Sequence, residues 1–300
     1  GGASRREAAL RRYRESGGRL WFFHVTHNAG TTIRNLAIFS GLCLTWKSPH
    51  AMAPDNATHR WFNEYLEEEF LPEASLDQAL PLSSSDFVTL TAVRDPIQRI
   101  FAGDGMWTTT PEGDNMDKCN TDNYGLRKII GKRFNKELTW DDVEFAKRRL
   151  ERFDVVLDQG NFVESSKLLC AELGWSYCAV RDKSHRKPEE YLSKENYAYL
   201  VHKNRFELAF YEHAQELVRT RIRESRSAGR FPDPVRPAVA LQQLGRRERV
   251  PSQPLLPAGA KPSPDRYWRE NCPGTPRSKH GPQGRLLEGT VGRRAWICFK

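Results

Sequence analysis

Leu20-Trp21-Phe22-Phe23-His24-Val25, then Thr26-His27-Asn28-Ala29-Gly30-Thr31-Thr32, then Ile33-Arg34-Asn35-Leu36-Ala37-Ile38-Phe39: this stretch decides the fold. Its first six residues are mostly apolar and rich in aromatics, the composition of a short buried strand. In the last seven, Ile33, Leu36 and Ala37 recur at helical spacing. The middle seven are therefore a tight loop between a strand and a helix. Loops of this form bind anions, because unpaired N–H groups and the positive end of the helix dipole point at the ligand. Gly30 lets the backbone approach closely, and Thr31 and Thr32 add hydroxyl donors. A plain helix cap uses the same residue types, so the loop alone reads either way. It is not a Walker A loop: GxxxxGK[ST] is absent and the segment holds no lysine, which disfavours a nucleotide kinase.

Outward from this unit, strands and helices alternate. Phe87-Val88-Thr89-Leu90-Thr91-Ala92-Val93 is β-branched and nearly uninterrupted, as in a parallel strand covered on both faces. Arg94-Asp95-Pro96 follows at once, and Pro96 is placed to open a helix through Phe101. Residues 5–16 predict a charged helix ended by Gly17-Gly18, and 42–46 a second strand. Residues 61–70 read as an acidic amphipathic helix. Helices are also predicted over 122–131, 140–152, 161–173 and 193–220, with a strand at 153–157. The fold class is α/β with parallel strands flanked by helices.

Composition divides the chain near residue 223. Beyond that point lie 11 of the 18 prolines, scattered among Arg, Gly, Ser and Gln with no apolar period. From 223 onward there are 16 Lys/Arg and 6 Asp/Glu, leaving 31 basic against 32 acidic residues in 1–222. The net charge of +9 therefore belongs to the tail, and the body is nearly neutral. Runs such as Arg246-Arg247-Glu248-Arg249 read as a solvated, disordered basic tail able to hold polyanions without base readout, so no specific nucleic-acid partner is expected. Residues 1–18 form a helical extension, 19–222 the domain and 223–300 the tail.

The six cysteines (43, 119, 170, 178, 272 and 298) show no CxxC pair and no zinc spacing, so no metal is expected. Cys170 and Cys178 read either as a bridge or as buried thiols. No run of 18 apolar residues occurs, and no membrane segment is expected in this chain. The beginning, Gly1-Gly2-Ala3, carries neither an initiator Met nor an apolar signal region, which suggests a fragment with room for an upstream anchor.

Two motifs taken together carry a resemblance. His24-Val25-Thr26-His27-Asn28-Ala29-Gly30-Thr31-Thr32 resembles the 5′-phosphosulfate loop of sulfotransferases, H-x-P-K-[ST]-[AG]-G-[ST]-[ST]. Arg94-Asp95-Pro96-Ile97-Gln98-Arg99-Ile100-Phe101-Ala102 resembles their 3′-phosphate motif, R-[DN]-P-x-x-R-x-x-S. Downstream, Phe153-Asp154-Val155-Val156, Phe162-Val163-Glu164-Ser165 and Leu168-Leu169 are similar to a segment of Golgi carbohydrate sulfotransferases. Lys183-Ser184-His185-Arg186 is similar to their nucleotide-closing loop, and Asn204-Arg205-Phe206-Glu207-Leu208-Ala209-Phe210-Tyr211 to their N-x-x-D-x-x-L-Y helix.

The resemblance implies a P-loop-like sheet of the sulfotransferase type and the donor 3′-phosphoadenosine 5′-phosphosulfate. The sulfuryl group would pass to a hydroxyl acceptor, a glycan. Given an anchor upstream of Gly1, it also implies the Golgi lumen. Residue by residue, it puts the 5′ side of the nucleotide on His27, Asn28, Ala29, Gly30, Thr31 and Thr32, and the 3′-phosphate on Arg94 with Arg186 as a second contact. Arginine suits that role because its planar fork binds phosphate bidentately. His50, just past the second strand, is the expected general base, and a solvent-facing loop histidine is the bland alternative. Arg99 reads as a structural ion-pairing residue and Asp95 as a helix N-terminal carboxylate. Two positions depart from the family pattern. His27 stands where it carries a lysine, and Ala102 where it carries a serine. An imidazolium beside phosphosulfate can keep its proton, since adjacent negative charge raises a histidine pKa from about 6.5. Losing one neutral hydrogen bond at Ala102 costs about 1 kcal/mol. A catalytically inactive, nucleotide-binding relative is the alternative reading.

Overall fold

A computed structural model of the chain describes residues 2–16, 19–25, 28–40, 42–46, 61–66, 82–84, 86–102, 121–175, 178, 188 and 192–231. Five strands form one parallel sheet: β1 (Arg19–His24), β2 (Cys43–Trp46), β3 (Trp61–Leu66), β4 (Phe87–Val93) and β5 (Val155–Asp158), in the order β2-β3-β1-β4-β5. The first strand is thus central, with Phe22 opposite Glu64 on one side and Leu90 on the other. The helices are α1 (Gly2–Ser16), α2 (Gly30–Phe39), α3 (Pro96–Ile100), α4 (Tyr124–Ile130), α5 (Trp140–Glu151), α6 (Phe162–Leu173), α7 (Lys194–Lys203) and α8 (Arg205–Ser227).

Consecutive residues of a strand point to opposite faces, so a strand buried at every position is covered on both. This holds for β4, where Val88, Thr89, Leu90, Thr91, Ala92 and Val93 are all buried. The polar members are paired internally: Thr91 Oγ1 donates to Phe23 O at 3.0 Å, and Thr89 N and Oγ1 donate to Asp154 at 2.8 and 2.9 Å. Asp154 also takes Arg5 at 2.5 Å, so a buried carboxylate is satisfied from β4 and α1 together.

Three expectations need correction. Residues 61–66 are strand β3, not the start of a helix, and 67–70 lie outside the described residues. Apolar residues at 61, 62, 65 and 66 fit a helical face, but pairing to β1 and β2 on both sides overrides that weak local preference in a segment rich in aromatics. The span 193–220 is two helices broken at Asn204, whose backbone leaves the helical region and whose side chain accepts from Asn123 N and donates to Thr121 O and Leu200 O. Thirdly, the folded body passes residue 222, since α8 runs to Ser227 and Phe231 packs against the core.

The N-terminal helix belongs to that core too. Ala9, Leu10 and Tyr13 are buried in it, and Tyr13 OH accepts from Trp175 Nε1 at 3.0 Å. Glu172 of α6, itself buried, lies 3.7 Å from Arg6, 4.0 Å from Arg14 and 3.3 Å from Arg230.

Candidate functional site

The order β2-β3-β1-β4-β5 sends the chain after β1 toward one edge of the sheet and the chain after β4 toward the other. Adjacent strands whose connections part in this way leave a crevice beyond their carboxyl ends, where open α/β sheets take ligands. Here the β1 loop is tied to β4, Asn28 Nδ2 donating to Ala92 O at 2.9 Å, and closed on itself, Asn28 N donating to Val25 O at 3.1 Å.

The β1 loop turns sharply into α2. Ala29 has φ of 62°, a left-handed conformation that costs a residue with a Cβ about 1–2 kcal/mol. This turns the chain so that α2 starts at Gly30, and Ile33 N is the first to bond back, to Ala29 O at 3.0 Å. The amides of residues 30–32 therefore lie ahead of the helical ladder, at the positive end of a ten-residue helix. Gly30 lies against the His24 ring so closely that a Cβ there would stand 1.9 Å from His24 Nε2.

On the β4 side, Asp95 caps α3, accepting from Gln98 N at 2.8 Å, with Pro96 at the first turn. Arg94 is half-buried, and its guanidinium is lowered to about 10, first by burial and then by Arg99, against the opposing pull of Asp95 and Tyr211. It stays charged at neutral pH, and an added anion would relieve both costs.

Between the loops lies a small recess with room for about one water molecule, lined by Val25, Asn28, Arg94, Gly125, Glu207 and Tyr211 among others. Asn28 is only 4% exposed, and its Oδ1 has no hydrogen-bond partner among the described residues. Behind the recess, Glu207 accepts from Gly125 N at 3.0 Å and lies 3.8 Å from the buried Arg99, which in turn stacks over Tyr124 at 4.7 Å. Burial pushes the Glu207 carboxyl up, although Arg99 and the α4 amides pull it down. Tyr211 OH donates to Asp158 at 2.8 Å and accepts from Gln215 at 3.1 Å.

Of the expected site residues, Asn28 and Arg94 line the recess together, while Ala29 precedes α2 and Gly30, Thr31 and Thr32 form its first turn. His27, His50 and Arg186 lie outside the described residues. Arg99 is the buried ion-pairing residue it was read to be, and Asp95 the helix-terminal carboxylate. Ala102 ends the turn after α3, its N–H donating to Arg99 O at 3.1 Å. Asp158 and Gly125 went unread as site residues. Asp158 had one signal, its place at the carboxyl end of the strand next to β4, whereas Glu207 and Tyr211 share one face of α8 with Asn204 at spacings of three and seven.

Among the described residues, no group of three or more His, Cys, Asp or Glu gathers as for a metal ion, and no helix is long and apolar enough to cross a membrane. The chain matches no family model, and a search of curated proteins finds no match.

Proposed function

We propose that this protein is a sulfotransferase that binds 3′-phosphoadenosine 5′-phosphosulfate at the β1/β4 crevice and moves its sulfuryl group to a hydroxyl of a glycan. The observation that carries this reading is that Asn28, two residues ahead of α2, and Arg94 line one recess at the carboxyl ends of β1 and β4. The β1 loop runs from Asn28 into the helix N-terminus, a desolvated guanidinium follows β4, and Asn28 ties the loop to Ala92 of β4. Two phosphate-recognising elements on adjacent strands suit a nucleotide carrying phosphate at both its 5′ and 3′ positions.

In the transfer, a bond forms between sulfur and the acceptor oxygen while the bond from sulfur to the bridging phosphate oxygen breaks, and the hydroxyl proton passes to a base. His27 would balance charge on the departing phosphate, and His50 would take the proton. Arg186 would be the second 3′-phosphate contact. The donor is a co-substrate, and no step calls for a metal. The Golgi lumen is the compartment in which such a chain, anchored upstream, would meet its acceptor.

The test is calorimetric titration of the full chain with 3′-phosphoadenosine 5′-phosphate and, for comparison, ATP. A charge-assisted hydrogen bond contributes about 1.5–3 kcal/mol, so Arg94→Ala is expected to weaken the bisphosphate roughly 10- to 100-fold. Absence of binding by the wild-type chain, or equal affinity for ATP, refutes the reading. A second reading, an inactive nucleotide-binding relative, is favoured by His27 and Ala102 at positions where the resembled family has lysine and serine. Tight bisphosphate binding with no turnover across an acceptor series would decide for it.

A further inference from the structure

Away from the crevice, at the amino ends of the strands, arginines gather where α1, α6 and α8 meet. The helix α6 starts beyond the carboxyl end of β5 and runs back, and its last turn carries the buried Glu172. Arg14, shortly before β1 begins, donates to Glu172 O at 2.9 Å, which fixes that turn at the amino end of the sheet. The helix α8 runs the same way: Tyr211 meets Asp158 at the carboxyl end of β5, and Arg230, just past the last turn of α8, reaches Glu172. Three guanidiniums thus converge on one carboxylate, Arg230 at 3.3 Å, Arg6 at 3.7 Å and Arg14 at 4.0 Å.

The cluster extends along the turn from α5 into β5, which is gripped through its carbonyls. Arg221 Nη2 donates to Glu151 O at 3.0 Å, Arg5 Nη2 to Arg152 O at 2.8 Å and Arg6 Nε to Asp154 O at 2.9 Å. Arg5 meets a carboxylate there, Asp154. Arg221 is only 5% exposed, and its Nη1 has no hydrogen-bond partner among the described residues; nor have Arg230 Nε and Glu172 Oε2. Burial and then Arg6 lower the Arg221 guanidinium to about 10, against the pull of Asp154, Glu224 and Glu172. The three distances to Glu172 are longer than the roughly 2.7–2.9 Å of a charge-assisted hydrogen bond, so one carboxylate does not saturate the donors around it. The side chains of Arg14 and Arg230 are each 34% exposed, which opens the cluster to solvent.

We propose that Arg6, Arg14 and Arg230 form a second oxyanion site, which takes a tetrahedral sulfate or phosphate group, free or esterified to a sugar. Such a group suits three guanidiniums arriving from different directions, because each planar fork presents paired N–H donors to two oxygens. Glu172 gathers the forks and, as a like charge, limits how tightly the oxyanion is held. The site lies at the other end of the sheet from the crevice and does not depend on the activity proposed there.

The test is calorimetric titration of the full chain with sodium sulfate, sodium phosphate and glucose 6-sulfate at constant ionic strength. A saturable equivalent is expected that persists in Arg94→Ala, which removes the crevice arginine, and in a chain whose tail residues Arg246, Arg247 and Arg249 are changed to serine. Arg230→Gln is expected to weaken it roughly tenfold, the loss of one charge-assisted hydrogen bond. Glu172→Gln keeps the shape of the side chain and removes the like charge, so it is expected to tighten binding several-fold. No binding of any of the three anions, binding lost with Arg94 or with the tail arginines, or equal affinity in Arg230→Gln overturns the site. Unchanged or weaker binding in Glu172→Gln overturns it as well, whether or not Arg230→Gln folds. A sugar sulfate held at least as tightly as the free ion makes an esterified group the ligand, and binding of the inorganic ions alone makes it the free anion.

Discussion

Replacing Gly30 by alanine would test whether close packing against His24 sets the β1 loop. A Cβ at position 30 would stand 1.9 Å from His24 Nε2 and 2.1 Å from Cε1, far inside any real contact. The ring is not free to swing aside, because it stacks on Phe22 with centroids 5.2 Å apart and planes 17° apart. Either the ring leaves that stack, or α2 is pushed off the end of β1. Overpacking of this kind costs about 1–3 kcal/mol. Exchanging Gly for Ala in a helix returns up to about 1 kcal/mol, and less at its first residue. The net expectation for Gly30→Ala is a loss of about 1–2 kcal/mol, or roughly 2–8 °C in Tm for a folded body of this size. Urea denaturation gives the stability, and calorimetry with 3′-phosphoadenosine 5′-phosphate should show weakened binding in the same variant. Removing the obstacle must rescue the loss: Gly30→Ala combined with His24→Ala is expected to show a favourable coupling of at least about 1 kcal/mol in a double-mutant cycle. Wild-type stability in Gly30→Ala, or effects that add within about 0.5 kcal/mol, would refute the reasoning.

Asn204→Ala strips the bonds to Thr121 O, Leu200 O and Asn123 N, leaving buried backbone groups unmatched, and is expected to cost roughly 2–4 kcal/mol by urea denaturation. A loss below about 1 kcal/mol would show that the α7–α8 break is not held by this side chain. Glu207 gives a pH signature. Its folded pKa is raised, chiefly by burial, so the folded state holds this proton more tightly than the unfolded one. The contribution is fully present below the ordinary carboxylate value of about 4.3 and is lost as pH rises through the raised one. The stability of wild type minus that of Glu207→Gln should therefore fall as pH increases from 4 upward, and a constant or rising difference would contradict this.

What could be read from the chain beforehand follows the range of the interactions involved. The unit β1–loop–α2 and the turn from β4 into α3 were legible because their determinants are local: an apolar run, a glycine where the loop meets His24, Pro96 opening a helix that Asp95 caps. Strand β3 was not, since residues 61–66 become a strand only by pairing with β1 and β2 on either side. Nor was the break at Asn204, whose partner Asn123 is 81 residues away. The same limit applies to the recess. Its loops announced themselves, but Gly125, Glu207 and Tyr211 reach it, and Asp158 holds Tyr211, only because β5, α4 and α8 pack together.

Glu172 has a consequence for the architecture of fusions. Arg6, near the start of α1, and Arg230, just past α8, both reach this single carboxylate, at 3.7 and 3.3 Å. The folded body is therefore entered and left at neighbouring points. Such proximity makes it a natural insert for another protein's surface loop, and a permuted chain that joins residue 231 back to residue 2 through a short linker would ask little of the fold.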